Sequence, residues 1–208
     1  MAEAGARDDR ELIAAWRGGD RRAGEELFTR HFPAVQRFFR NKVDASAVED
    51  LVQRTFLVLV EKPGQFRGES SVKTFLLGVA NNLTRSYYRK RQRADEHVDF
   101  AQLSVVDLGT GPSTAVGRKR EHRVLLEALR RMPLNAQTIL ELYYWESMTG
   151  PAIAAVLGVP ENTARTRLRR ARERLATEIA RLEQSEKPLE STLDDLDGWA
   201  RALRARLA

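Results

Sequence analysis

Along most of the chain, apolar residues recur every three or four positions, the spacing that gathers side chains on one face of a helix. Leu12, Ile13 and Trp16 share such a face behind a capping Asp8 or Asp9, and Gly18-Gly19 closes the segment. Asp20 restarts a helix bearing Ala23, Leu27 and Phe28, and Pro33 is placed to open the next, with Val35, Phe38 and Phe39 inward. Ser46 suits the cap of a longer helix carrying Val48, Leu51, Val52, Thr55, Phe56 and Leu59, which Pro63-Gly64 breaks. Ser70 or Ser71 then starts a helix through Phe75, Leu76, Val79, Leu83 and Tyr87. No persuasive strand-type alternation interrupts this series.

After Arg93 the period is lost. Residues 94–117 are first acidic (Asp95, Glu96, Asp99, Asp107) and then turn-rich at Gly109-Thr110-Gly111-Pro112-Ser113, the composition of a flexible linker. Helical spacing resumes near Arg118 with Val124, Leu125, Ala128 and Leu129 and stops at Pro133. Asn135 can cap a helix through Ile139, Leu142, Tyr143 and Trp145. Thr149-Gly150-Pro151 opens a short helix ending at Gly158, and a long one follows Pro160 to about Leu182. In the tail, Leu193, Leu196, Trp199 or Ala200, Leu203 and Leu207 mark a short amphipathic helix. The pattern predicts an all-α protein of two small helical domains, 1–93 and 118–184, with a linker at 94–117 and a tail at 185–208.

Composition narrows the class. At 208 residues and 42% apolar, the chain can build small cores. Its net charge of +6 and a pI near 10.0 favour a polyanionic partner, with nucleic acid foremost. The absence of cysteine removes disulfides, thiolate metal sites and a cysteine nucleophile, and fits a reducing compartment. Met1–Arg10 carries no apolar run of a secretory signal, and no segment has the ~20 apolar residues of a membrane span. A cytoplasmic protein is expected. His31, His97 and His122 are scattered, without metal-ligand spacing, and read as surface residues. With no phosphate-cradling glycine loop and no nucleophile elbow, neither catalysis nor a cofactor or metal is expected.

Position within the chain makes the charge informative. Ile153 to Pro160 followed by Glu161 to Arg172 has the parts of a helix-turn-helix: a short apolar helix, a turn containing Gly158, and a second helix. Ala154 and Ala155 allow a close crossing. Ala164, Leu168, Ala171 and Leu175 fall on one face, leaving Arg165, Arg169 and Arg172 among the outward residues. Such a helix places its N-terminal side chains on base edges in the major groove and its arginines on bases and phosphates. A second run, Arg85-Ser86-Tyr87-Tyr88-Arg89-Lys90-Arg91-Gln92-Arg93, mixes cations with two tyrosines and has no acid. Cations track phosphates and rings stack on exposed bases, which suits single-stranded nucleic acid. Asn81 and Asn82 stand just upstream. A third stretch, Glu49 to Phe56, is by itself an amphipathic helix with a polar face of Asp50, Gln53 and Arg54.

In this order, these segments resemble the extracytoplasmic-function branch of the sigma-70 family of RNA polymerase sigma factors, over roughly Asp9 to Ile179. Asp50-Leu51-Val52-Gln53 to Phe56-Leu57 is similar to the family's polymerase-binding helix. Phe66-Arg67-Gly68-Glu69-Ser70 through Val79-Ala80-Asn81-Asn82 is similar to its promoter-melting segment. Leu129 to Glu146 and the helix-turn-helix resemble its second DNA-binding domain. The resemblance implies that Asp50, Gln53 and Arg54 bind core polymerase. It implies that Asn81, Asn82, Arg85, Tyr88, Arg89 and Arg91 hold the single-stranded −10 element. Asn162, Thr163, Arg165, Thr166, Arg167, Arg169 and Arg170 would bind the duplex −35 element. The partners implied are bacterial core polymerase, promoter DNA and an anti-sigma factor. Arg54, Phe75, Asn81 and Gly150-Pro151 depart from the family pattern, where glutamate, tryptophan, a basic residue and polar residues are usual.

The residues leave two other readings open. One is a stand-alone helix-turn-helix regulator with a sensor or dimerisation domain in residues 1–93, for which the basic-aromatic run has no use. The other is an RNA-binding protein, which leaves the helix-turn-helix unexplained.

Overall fold

The computed structural model describes residues 7–40, 42–62, 65–92 and 120–184, and these form eight helices and no strand. The linker at 94–117 and the tail at 185–208 lie outside the described residues. Helix α1 (Asp9–Arg17) starts from a reciprocal cap. The Asp8 carboxylate accepts from the Arg10 and Glu11 amides, each at 2.8 Å, and the Glu11 carboxylate accepts from the Asp8 amide at 3.0 Å.

Helix α2 (Arg21–Arg40) corrects the expected break at Pro33, which lies inside it. An interior proline removes a donor and costs about 3 kcal/mol. Leu27, His31, Ala34, Val35 and Phe38 nevertheless form one buried stripe running past it. Burial at about 1.5–3 kcal/mol for each large apolar side chain outweighs that cost. His31 is therefore not a surface residue: it is buried, with Nε2 2.7 Å from Asp9 Oδ2. Phe28, expected inward, is 38% exposed. Where α1 crosses α2, a Cβ on Gly24 would come within 2.6 Å of the Trp16 indole nitrogen, so only glycine fits there.

Helix α3 (Ala45–Glu61) is preceded by Asp44 rather than capped by Ser46, and Asp44 accepts instead from the Tyr87 hydroxyl at 2.6 Å. Ser71 opens α4 (Val72–Gln92), its hydroxyl accepting from the Thr74 amide at 3.1 Å. These four helices pack on one another.

The second half holds α5 (Arg120–Arg130), α6 (Leu134–Tyr144), α7 (Gly150–Leu157) and α8 (Glu161–Gln184). Helix α6 begins directly after Pro133, whose carbonyl accepts from the Ala136 and Gln137 amides, so Asn135 is not its cap. Helix α8 is the hub against which α5, α6 and α7 pack. The halves are joined where α4 lies along α7, and buried side chains run in one cluster from Leu12 to Ile179.

Candidate nucleic-acid interface

The turn between α7 and α8 is built by Gly158, which has φ 65° and ψ 41°, a left-handed conformation that costs glycine little. The Gly158 and Val159 amides bond back to the carbonyls of Ala155 and Ala154 and close α7. Ala154 is buried at the crossing, whereas Ala155 is exposed, so only the first of the two small residues serves the close approach. Ala164, Ala171 and Leu175 are buried and Leu168 half-buried. This inward stripe fixes which residues of α8 face solvent.

Those residues are the expected duplex-binding set. Asn162, Arg165, Thr166, Arg167, Arg169 and Arg170 are exposed and Thr163 is half-buried. Two of the arginines are braced along the helix, Arg165 by Glu161 at 2.7 Å and Arg169 by Glu173 at 2.5 Å. Such exposed pairs contribute a few tenths of a kcal/mol at most and exchange readily for phosphate. Arg172 is corrected: its guanidinium lies 4.6 Å from the Tyr143 ring centroid and 5.3 Å from that of Tyr144. It packs between α6 and α8 rather than facing outward.

On α4 the expected single-strand set divides. Asn82 and Arg89 are exposed and Arg85 is half-buried, while the Arg91 side chain lies outside the described residues. Tyr88 is wholly buried and its hydroxyl donates to the Lys42 carbonyl, so its ring has no free face to stack on a base. Asn81 is 5% exposed and its amide donates to the Val156 carbonyl at 3.4 Å. In this arrangement neither Tyr88 nor Asn81 is open to nucleic acid. The physical reason is the stripe Leu77, Ala80, Asn81, Thr84 and Tyr88, all buried and one helical face.

Helix α3 presents Asp50, Gln53 and Arg54 to solvent, with Arg54 Nη1 3.4 Å from Asp50 Oδ2. Gln53 also borders a groove of about 430 Å³ lined by Trp16, Gly24, Phe28, Phe56 and Leu57. Nothing in the residue pattern points to this groove, since Phe28 falls in an apolar series and looks like core.

Two family models match the chain: Sigma-70 region 2 over residues 27–94 and Sigma-70, region 4 over residues 122–175. The RNA polymerase sigma factor HrpL of Pseudomonas syringae is 32% identical over 149 residues, which cover 70% of this chain and 80% of HrpL. The chain belongs to the sigma-70 family.

Within that family it is of the extracytoplasmic-function type and serves as an RNA polymerase sigma factor. The ECF RNA polymerase sigma-E factor of Haemophilus influenzae is 25% identical over 82% of this chain and 95% of that factor. Probable RNA polymerase sigma factor RfaY of Xanthomonas campestris is 30% identical over 139 residues, a match spanning 35% of RfaY. The solved structure of CnrH in complex with the cytosolic domain of CnrY shares the fold, at TM-score 0.60 and 23% identity over 86% of this chain and 99% of CnrH. The α3 and α4 residues fall within region 2 of this sigma factor, and the α8 arginines within region 4. No helix among the described residues is long and apolar enough to cross a membrane, and none of their acidic and histidine side chains cluster to hold a metal.

Proposed function

We propose that this sigma factor docks on core polymerase through Asp50, Gln53 and Arg54 of α3 and grips the −35 duplex with α8. Asn82, Arg85, Arg89 and Arg91 of α4 hold the opened −10 strand. The observation that carries the reading is the exposed, cationic N-terminal half of α8, presented by a glycine turn and backed by a buried stripe. In this reading Asn162, Thr163 and Thr166 meet base edges, and Arg165, Arg167, Arg169 and Arg170 meet phosphates. Tyr88 belongs to the core in this scheme and contributes shape rather than stacking. Capturing an unstacked base costs a few kcal/mol, which pocket contacts offset.

The protein works without a catalytic centre of its own, in the cytoplasm where polymerase and promoter are. An anti-sigma protein is a further partner. The support is that CnrH and the Bartonella quintana sigma factor RpoE, a fold match at TM-score 0.57, are each solved in complex with another protein, which for RpoE is the anti-sigma factor NepR.

The docking face is tested by Asp50→Arg, with association measured by co-purification with core polymerase. Loss of association with unchanged helical content is expected. Normal association by this variant would remove α3's polar face from the account.

A further inference from the structure

Phe28 of α2 and Leu57 of α3 are the large apolar side chains left exposed among the described residues, and both line the groove beside Gln53. The groove is preformed. Phe28 packs on Phe32 and Phe56, with ring centroids 5.0 and 4.7 Å away, and the Trp16 indole is seated on Gly24. Its volume of about 430 Å³ lies within the range of sites that receive apolar groups. A lone exposed apolar residue is ordinary on a protein surface, but two that line one groove with a polar rim have the form of an interaction site. The two ends of the groove differ in charge. Because α2 and α3 join through a short turn, the exposed Arg21 and Arg22 lie at one end, and Asp50 lies beyond Gln53 at the other.

We propose that this groove receives residues 193–207 of the same chain, docked as an amphipathic helix. Leu196, Trp199 or Ala200, Leu203 and Leu207 recur at the i, i+3 or i+4, i+7 spacing by which a helix fills an apolar groove, and Leu193 extends the series. Such a face needs cover, and Phe28 and Leu57 are the apolar surface that the described residues leave open. Charge sets the direction. Asp194, Asp195 and Asp197 precede Trp199, and Arg201, Arg204 and Arg206 follow it. Laid parallel to α2, the segment brings its aspartates to Arg21 and Arg22 and its arginines toward Asp50. Residues 185–192 are the tether: eight residues reach at most about 29 Å and hold the segment at roughly millimolar local concentration. At that concentration even weak docking keeps the groove filled. One consequence rests on the reading of Asp50, Gln53 and Arg54 as the polymerase-docking face. The seated segment covers Gln53, so it lowers the apparent affinity for polymerase in proportion to the time the groove is occupied.

The chain has no cysteine, so Leu57→Cys places a single thiol in the groove. Thr29→Cys places one on the rim with both apolar anchors kept, and Ala155→Cys, exposed on α7, is the control. Labelling of each full-length chain by a maleimide is followed by mass, with the natural tail and with Leu196→Asp and Leu203→Asp together. The tail substitutions should speed labelling at positions 57 and 29 at least fivefold and leave position 155 unchanged. Tenfold dilution should change no rate. Equal rates with both tails at both groove positions overturn the proposal, as does equal acceleration at position 155. Labelling that speeds on dilution also overturns it, by placing the segment on a second copy. The same tail substitutions in the cysteine-free chain should strengthen co-purification with core polymerase at least threefold. If they free the groove thiols and leave co-purification unchanged, the docking face assigned to α3 falls, and the seated tail stands.

Discussion

Helices α4 and α8 are alike in sequence terms, both long, both amphipathic, both rich in cations and both placed by the family pattern on promoter DNA. The fold treats them differently. All of α8's arginines from Arg165 to Arg170 face solvent, whereas α4 has Tyr88 in the core and Asn81 under α7. The helix-turn-helix is a finished reading head, and its geometry is set by residues within a few turns of it. The α4 surface is conditional, because what covers it comes from the other half of the chain.

The contrast can be broken most forcefully at Tyr88. Tyr88→Ala should destabilise the fold by about 3–5 kcal/mol in urea denaturation, since it empties a filled site in the core. If it left stability intact and weakened only DNA binding, Tyr88 would be a contact residue and the two helices would be equivalent. Arg172→Ala sharpens the comparison on the other helix. It should lower stability by about 1 kcal/mol, through the lost stack on Tyr143, whereas Arg170→Ala should leave the denaturation midpoint where it is. Smaller still is Arg169→Ala, expected to reduce the salt slope of duplex binding by about one unit at unchanged stability. An unchanged slope would take Arg169 off the phosphates. Independently of either helix, Gly24→Ala should cost about 1–3 kcal/mol, because Trp16 already fills the space its methyl would need.

The same contrast explains what was legible in the sequence. The helices after α2, the glycine turn at Gly158 and the exposed Arg165 to Arg170 face of α8 follow from local spacing as the periodicity predicts, whereas the helix break at Pro33 and an outward Arg172 do not. Pro33 alone reads as a break, but the continuous apolar stripe on either side of it carries the helix through. Tyr88 stands in an aromatic and basic run that points to nucleic acid, while its place in the Leu77, Ala80, Thr84 series puts it in the core. Lys42 gave no sign at all, since a lone lysine in a turn is usually solvated, and its partner, Glu141, lies 99 positions away. Glu141 did leave a trace. A carboxylate between Leu140 and Leu142, in an otherwise apolar run, needs a buried cation somewhere, although spacing cannot say which.

The central claim, that α3, α4 and α8 act together in polymerase-dependent promoter recognition, is tested most directly by mapping transcript starts. Purified bacterial core polymerase is supplied with genomic DNA fragments, with and without this protein, and the starts are sequenced. The account predicts new starts that share two spaced upstream elements and that disappear with Asp50→Arg. No new starts, together with tight duplex binding by the protein alone, would contradict it and make the chain a stand-alone regulator.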